Sequence, residues 1–248
     1  MRAASVALAL VIWQIAAVRL GQHLLLVPPL RVLSRFCELL LEPGFWETVG
    51  FSFSRIAGGF FLGLILGLVL AIAAGRLRWM ELLLWPYVTT VKAVPVASFI
   101  IISLVWLSSR QLSIFISFLM VFPIVYTNVL QGVRSADTQL LEMASIFRMP
   151  WGKRLRYIFL PHLRPYLQSA CSVALGVCWK SGVAAEVIGI PKGSIGERLY
   201  TAKIYLSTAD LFAWTVVVVA VSVGFEKLIL FLLRHGFDRL ERDGRREL

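Results

Sequence analysis

Six stretches of the chain are apolar for long enough to cross a bilayer as helices, at approximately 3–20, 51–75, 80–107, 111–130, 165–188 and 211–233. About 20 residues are needed, because a helix rises about 1.5 Å per residue and the hydrocarbon layer is about 30 Å thick. The first run, Ala3 to Val18, is the shortest and has the look of a signal-peptide core. No Ala-x-Ala pattern closes it and Arg19 is placed to snorkel to an interface, so it is read as a span. Pro28-Pro29 ends it, and from Leu30 to Trp46 the residues Arg31, Arg35 and Glu38 mix with Leu and Phe, as in a helix lying along the membrane surface. Pro86 and Pro95 in the third span and Pro123 in the fourth withdraw backbone donors, which membrane helices tolerate where neighbours or a cavity satisfy the freed carbonyls. The pattern predicts an all-α polytopic membrane protein with six transmembrane helices. Residues 1–50 hold the first helix and the interfacial segment, 51–233 a five-helix core, and 234–248 a basic tail.

The second span carries Arg55, Gly59, Gly63, Gly67, Ala71 and Gly75 in an unbroken i, i+4 row. Small residues at this spacing let two helix backbones approach closely in lipid. Two uses fit such a face: packing within the subunit, or sliding during a conformational cycle.

Composition agrees with the hydropathy pattern. Of 248 residues 58% are hydrophobic and 16% charged, against roughly 25% charged in soluble domains, and the mean hydropathy is +0.80. The net charge of +11 is spread in short islands between apolar runs rather than gathered on one face, which argues against nucleic acid as a partner. With the N-terminus inside, fourteen Lys and Arg fall in inside segments against seven outside, so both termini are expected in the cytoplasm. Cys171 and Cys178 lie about 10 Å apart along one predicted helix and cannot bridge each other. With Cys37 the number is odd and no Cys-x-x-Cys occurs, so all three read as small apolar residues.

The longest inside loop, 131–164, is patterned rather than loose. Ser135 or Asp137 is placed to cap a short helix with Leu140, Ala144 and Phe147 on one face and Glu142 and Ser145 offset. Pro150 and Gly152 interrupt it before a basic half containing Lys153, Arg154 and Arg156. Such a platform suits either lipid headgroups or a docked protein.

Within this loop, Glu142-Met143-Ala144 followed by Ile158-Phe159-Leu160-Pro161 resembles the EAA motif of binding-protein-dependent ABC importer permeases. The spacing matches throughout; Met143 replaces the first alanine, and Arg148 stands at the motif's glycine, leaving Pro150 and Gly152 to supply the bend. Trp46-Glu47-Thr48, Ser54-Arg55-Ile56, Lys92-Ala93-Val94-Pro95, Trp179 with Ala185-Glu186, Gly193-Ser194-Ile195-Gly196 and Asp210-Leu211-Phe212, in this order, are similar to the nitrate/sulfonate/taurine branch of that family. The resemblance implies an inner-membrane permease of type I architecture in a bacterium. It also implies cytoplasmic ABC ATPase subunits docked on the loop, a second permease copy, and an external solute-binding protein. Carried over, Glu142 is the electrostatic anchor, Ala144 permits close approach, and Leu140, Leu141, Phe147 and Arg148 complete the ATPase-coupling set.

Gly152-Lys153-Arg154 lacks the upstream glycine and the Ser or Thr of a P-loop, so the chain is expected to bind no cofactor itself, with ATP and Mg on the partner ATPase. No convergent metal cluster or catalytic triad is visible among His23, His162 and His235. Lys180, near the middle of the fifth span, is costly in a membrane and is a candidate for meeting an anionic solute. Its structural alternative is a pair with Glu186, which is poorly placed for it on the same helix. Lys92 beside Pro95 carries the same two readings, with snorkelling added, and Lys92, Pro95, Lys180 and Glu186 together form the candidate solute pathway. The Gly-rich run 189–196 has the wrong order for a phosphate loop and reads as a tight re-entrant or surface loop on the outside. Cargo of the sulfonate, taurine, nitrate or bicarbonate kind, or a thiamine- or riboflavin-type heterocycle, fits this family branch. From another class, an ion-gradient-driven transporter would show a repeated half with matching broken helices, and none is visible.

Overall fold

The computed structural model describes residues 2–20, 26–135, 138–154 and 158–246. Among them the chain runs as α1 (Arg2–Leu20), α2 (Pro29–Leu41), α3 (Phe45–Arg76), α4 (Arg78–Ala93), α5 (Val96–Ser103), α6 (Ser109–Arg134), α7 (Thr138–Ile146), α8 (Trp151–Arg154), α9 (Leu160–Gly189), α10 (Ile195–Ile204) and α11 (Thr208–Arg246). Four of these are long and apolar enough to cross a membrane: α3, α6, α9 and α11 over Thr208–Arg239.

Of the other two expected spans, the third differs from the sequence reading. Its stretch, 80–107, is not one helix: α4 and α5 meet at 105° across Val94-Pro95. Proline disfavours helical geometry in the residue before it, and Val94 is extended at φ −83°, ψ 133°, whereas α4 runs unbroken through Pro86. The first lies in α1, a helix of 19 residues, Arg2–Leu20. The boundary drawn at residue 50 falls inside α3, and the tail drawn from 234 continues α11 to Arg246.

α3, α6 and α9 form the centre, where Ile56, Phe60, Val121, Val125, Leu175 and Trp179 lose almost all contact with solvent. The glycine row of α3 is the seam against α6, within one chain. Gly59 lies on the Ile114 carbonyl, while Gly63 and Gly67 lie on Val121 and Val125. Arg55, at the head of the row, donates through Nε to the Arg110 carbonyl at 3.0 Å. A Cβ on Gly59 would stand 2.4 Å from the Ile114 oxygen, a backbone atom that no rotamer change can move, whereas Gly58 faces open space. Gly59→Leu is therefore expected to destabilise the fold by about 3 kcal/mol or more, and Gly58→Leu to be silent. Heating the detergent-solubilised protein with a thiol-reactive dye reads this through buried Cys171 and Cys178, once exposed Cys37 is replaced by serine. Equal shifts for the two leucine variants would refute the seam.

α11 closes one side through Phe225 and Ile229, and its outer turns meet α2 and α3 in a second cluster of Leu39, Phe45, Trp214 and Val217. Arg35, assigned by sequence to the membrane surface, anchors this junction. It pairs with Asp210 at the start of α11, with Glu42 at 2.8 Å and with Glu38 at 3.0 Å, and its pKa is raised, first by the hydrogen bond to Asp210. At the other end, Arg134 pairs with Glu81, and Arg164 with Asp238 at 2.8 Å, tying helix ends together.

Candidate functional site

The loop between α6 and α9 holds α7 and α8. Of α7, Ala144 is completely buried, while Glu142, Met143, Ser145 and Ile146 are exposed. The side chains of Leu140 and Leu141, and Asp137, lie outside the described residues. Phe147, expected on the face of Ala144, instead follows the end of the helix and is 76% exposed.

The helix stops because the backbone turns left-handed at Arg148, φ +48°. The Arg148 N–H donates to the Ser145 carbonyl at 3.0 Å and the Met149 N–H to the Ala144 carbonyl at 2.9 Å. This crossed pair of bonds is the Schellman arrangement, which commonly places glycine at the left-handed position. The bend expected at Pro150 and Gly152 thus lies earlier, at Arg148, while Pro150 opens α8 by accepting the Arg154 N–H at 3.1 Å. Arg154, read as part of a solvated basic face, folds back on the turn. Its Nε donates to the Met149 carbonyl and its Nη2 to the Ala144 carbonyl, each at 3.0 Å. The Ser135 hydroxyl is 2.8 Å from that of Tyr166 and 3.1 Å from His162 Nε2, linking α6 to α9.

On α9 the two candidate charges part company. Lys180 is exposed and makes no hydrogen bond or ion pair among the described residues. It shares a helical stripe with exposed Ser169 and Val173 and with Gly176, which borders open space. Lys92 on α4 is also exposed and donates to Thr127 Oγ1 at 3.3 Å, with exposed Pro95 at the break three residues on.

Glu186, expected with Lys180 along the pathway, turns into the packed interior and is 1% exposed. Its Oε2 accepts the Ser52 hydroxyl at 2.6 Å and the Gly196 N–H at 3.3 Å, while the Ser52 oxygen accepts the Ile195 N–H at 2.9 Å. A carboxylate from α9 and a hydroxyl from α3 thus satisfy the first two free N–H groups of α10, where the helix dipole also favours negative charge. Ser194 caps the next, accepting the Glu197 N–H at 3.0 Å, and Glu197 reaches back to the Gly193 N–H at 2.6 Å. Ser-x-x-Glu is a legible capping signal, hidden here inside a run read for its glycines. Those glycines have separate reasons. Gly193 is left-handed at φ +81°, and a Cβ on Gly196 would lie 2.4 Å from the Glu186 carbonyl carbon.

The chain therefore presents α7 beyond one end of α9 and the Glu186 clasp with α10 at the other. The family model for binding-protein-dependent transport system inner membrane components matches residues 60–242. The putative aliphatic sulfonates transport permease protein of Bacillus subtilis is 28% identical over 231 residues, covering 92% of this chain and 83% of that protein. The taurine transport system permease protein of Escherichia coli is 27% identical over 236 residues, covering 93% and 82%. The bicarbonate transport system permease protein of Synechococcus elongatus is 26% identical over 236 residues, covering 91% and 84%. The crystal structure of an amino acid ABC transporter with histidines shares the fold, at a TM-score of 0.58 and 15% identity, over 79% of this chain and 94% of that one.

Proposed function

This chain belongs to the family of binding-protein-dependent transport system inner membrane components, and from that premise we propose that it forms the pathway of an ATP-driven importer for a small anionic solute. α7 carries the reading: a short helix outside the central trio, buried at Ala144 and offering Glu142, Met143 and Ile146 outward with Phe147 beyond its end. A rigid helix of this kind transmits a rigid-body displacement that a loose loop would absorb. Cytoplasmic ATPase subunits dock there, on Glu142, Phe147 and Arg148 with Leu140 and Leu141 beside them, while Ala144, expected to permit the partner's close approach, is buried within the chain itself. Both termini then face the cytoplasm, with α1 and the α4–α5 pair supplying the fifth and sixth crossings. A second copy completes the pathway, and an external binding protein delivers the solute near α10.

Lys180 supports an anionic cargo. It is the exposed cation of an otherwise small and neutral stripe on α9, and an unpaired charge at membrane depth needs water or a counter-ion. The relatives named for sulfonates, taurine and bicarbonate favour the same chemistry. Proteoliposomes containing the permease, its ATPase and its binding protein are expected to take up one of these anions only with ATP. Lys180→Met is expected to lower that uptake by roughly tenfold or more, with Lys180→Arg retaining most of it. Undiminished uptake by the methionine variant would remove Lys180 from the pathway, and uptake driven by an ion gradient without ATP would overturn the importer.

A further inference from the structure

We propose that Arg154 is a positioning residue: it holds the left-handed turn at Arg148 closed, so that α7, the turn and α8 move as one body. The functional consequence rests on α7 being the ATPase-docking helix; the geometry does not.

Arg148 stands at φ +48°, a conformation in which a Cβ crowds the neighbouring carbonyl and which non-glycine residues adopt only when their surroundings impose it. Part of that imposition is the crossed hydrogen bonding within the turn, Arg148 N–H to Ser145 O and Met149 N–H to Ala144 O. The rest comes from outside it. The Ala144 oxygen, which already accepts from Met149, takes Arg154 Nη2 on its second lone pair at 3.0 Å, and the Met149 oxygen takes Arg154 Nε at 3.0 Å. One planar fork therefore spans the last turn of α7 and the residue just past the strained one. Both bonds are charge-assisted, and the Ala144 carbonyl belongs to the set that a helix end leaves short of partners. A lysine at 154 would offer a compact point charge without the fixed fork, so charge alone does not replace it.

Two spin labels on exposed Ser145 and Ser169, in the full-length permease with Cys37 replaced by serine, read the distance from α7 to the shaft of α9. Arg154→Gln is expected to broaden that distribution and to lower ATP-dependent uptake of the assembled complex by about tenfold. Arg154→Lys should broaden it as well. Adding Arg148→Gly to Arg154→Gln removes the strain that the fork opposes, and is expected to narrow the distribution again. A generally structural role for Arg154 predicts no such rescue, because the guanidinium is still missing. The proposal is overturned if Arg154→Gln leaves the distribution as narrow as in the parent, if glycine at 148 fails to narrow it, or if both variants fail to fold. Broadening and rescue without any change in uptake or ATPase co-purification would instead count against α7 as the docking helix and leave the role of Arg154 standing.

Discussion

With Glu142 replaced by arginine, ATP-dependent uptake is expected to fall to background, and the ATPase to be lost on purification, while the chain still inserts into the membrane. Glu142 projects from α7 into solvent, beside exposed Met143 and Ile146, and makes no hydrogen bond or ion pair among the described residues. Its substitution therefore removes nothing that the described fold depends on. What changes is the sign of the charge offered to the docking partner. Placing like charges opposite one another at an interface costs several kcal/mol, and every ~1.4 kcal/mol is a factor of ten in affinity. Glu142→Gln, which removes the attraction without adding repulsion, should fall between. Phe147→Ala tests the same surface through its apolar part, since 76% of that residue is exposed. Normal co-purification and uptake by the arginine variant would mean that the ATPase binds elsewhere.

The second large effect is expected at Glu186, for the opposite reason: its carboxylate is enclosed and faces no partner molecule. Glu186→Ala strips the acceptor from the Ser52 hydroxyl and from the Gly196 N–H, both inside the protein. An orphaned buried donor costs about 1–3 kcal/mol, so a loss on the order of 2–5 kcal/mol is expected. The sulfhydryl of Cys178, buried and 3.5 Å from the Ile56 carbonyl, reports the loosening through dye labelling on heating. Glu186→Gln should cost little, because its amide oxygen still accepts both bonds and the substitution removes a buried carboxylate whose Oε1 has no hydrogen-bond partner among the described residues. If glutamine proves as damaging as alanine, Glu186 is not acting as an acceptor for α10. If alanine is harmless, the clasp does not hold α10 in place.

The long crossing helices were legible because an uninterrupted apolar run has few alternatives at this length. The spans expected at 51–75, 111–130, 165–188 and 211–233 fall within α3, α6, α9 and α11. The glycine row was legible as a contact, although which helix it met was not, since spacing specifies a face and no address. Prolines that read alike in the sequence act differently in the fold for a physical reason. Pro86 and Pro95 look equivalent in the sequence, yet one lies within a helix and the other ends it, and the outcome depends on what each neighbouring segment packs against. The turn at Arg148 was legible only as the place of the motif's glycine, since arginine itself carries no left-handed preference, and its fastening uses Arg154, a side chain whose polarity alone pointed to solvent. The clasp was hidden by distance along the chain. Ser52 and Glu186 are 134 residues apart, and Glu186 was grouped with Lys180 because both are charges at membrane depth. Only the rotation of α9 separates them.

The 105° break between α4 and α5 limits how this protomer can be immersed. Sixteen residues of α4 rise about 24 Å, so a helix of that length entering at one edge ends short of the far edge of a hydrocarbon layer about 30 Å thick. Two helix ends meet at Val94 and Pro95, and helix ends carry carbonyl and amide groups without intrahelical partners. Acyl chains offer such groups nothing, so lipid cannot wet that side of the molecule. Water or protein has to meet it, next to the hydrogen bond between Lys92 and Thr127. The greasy belt is therefore lopsided, and a bilayer can seal around the protomer only when a hydrated passage or another polypeptide covers the break.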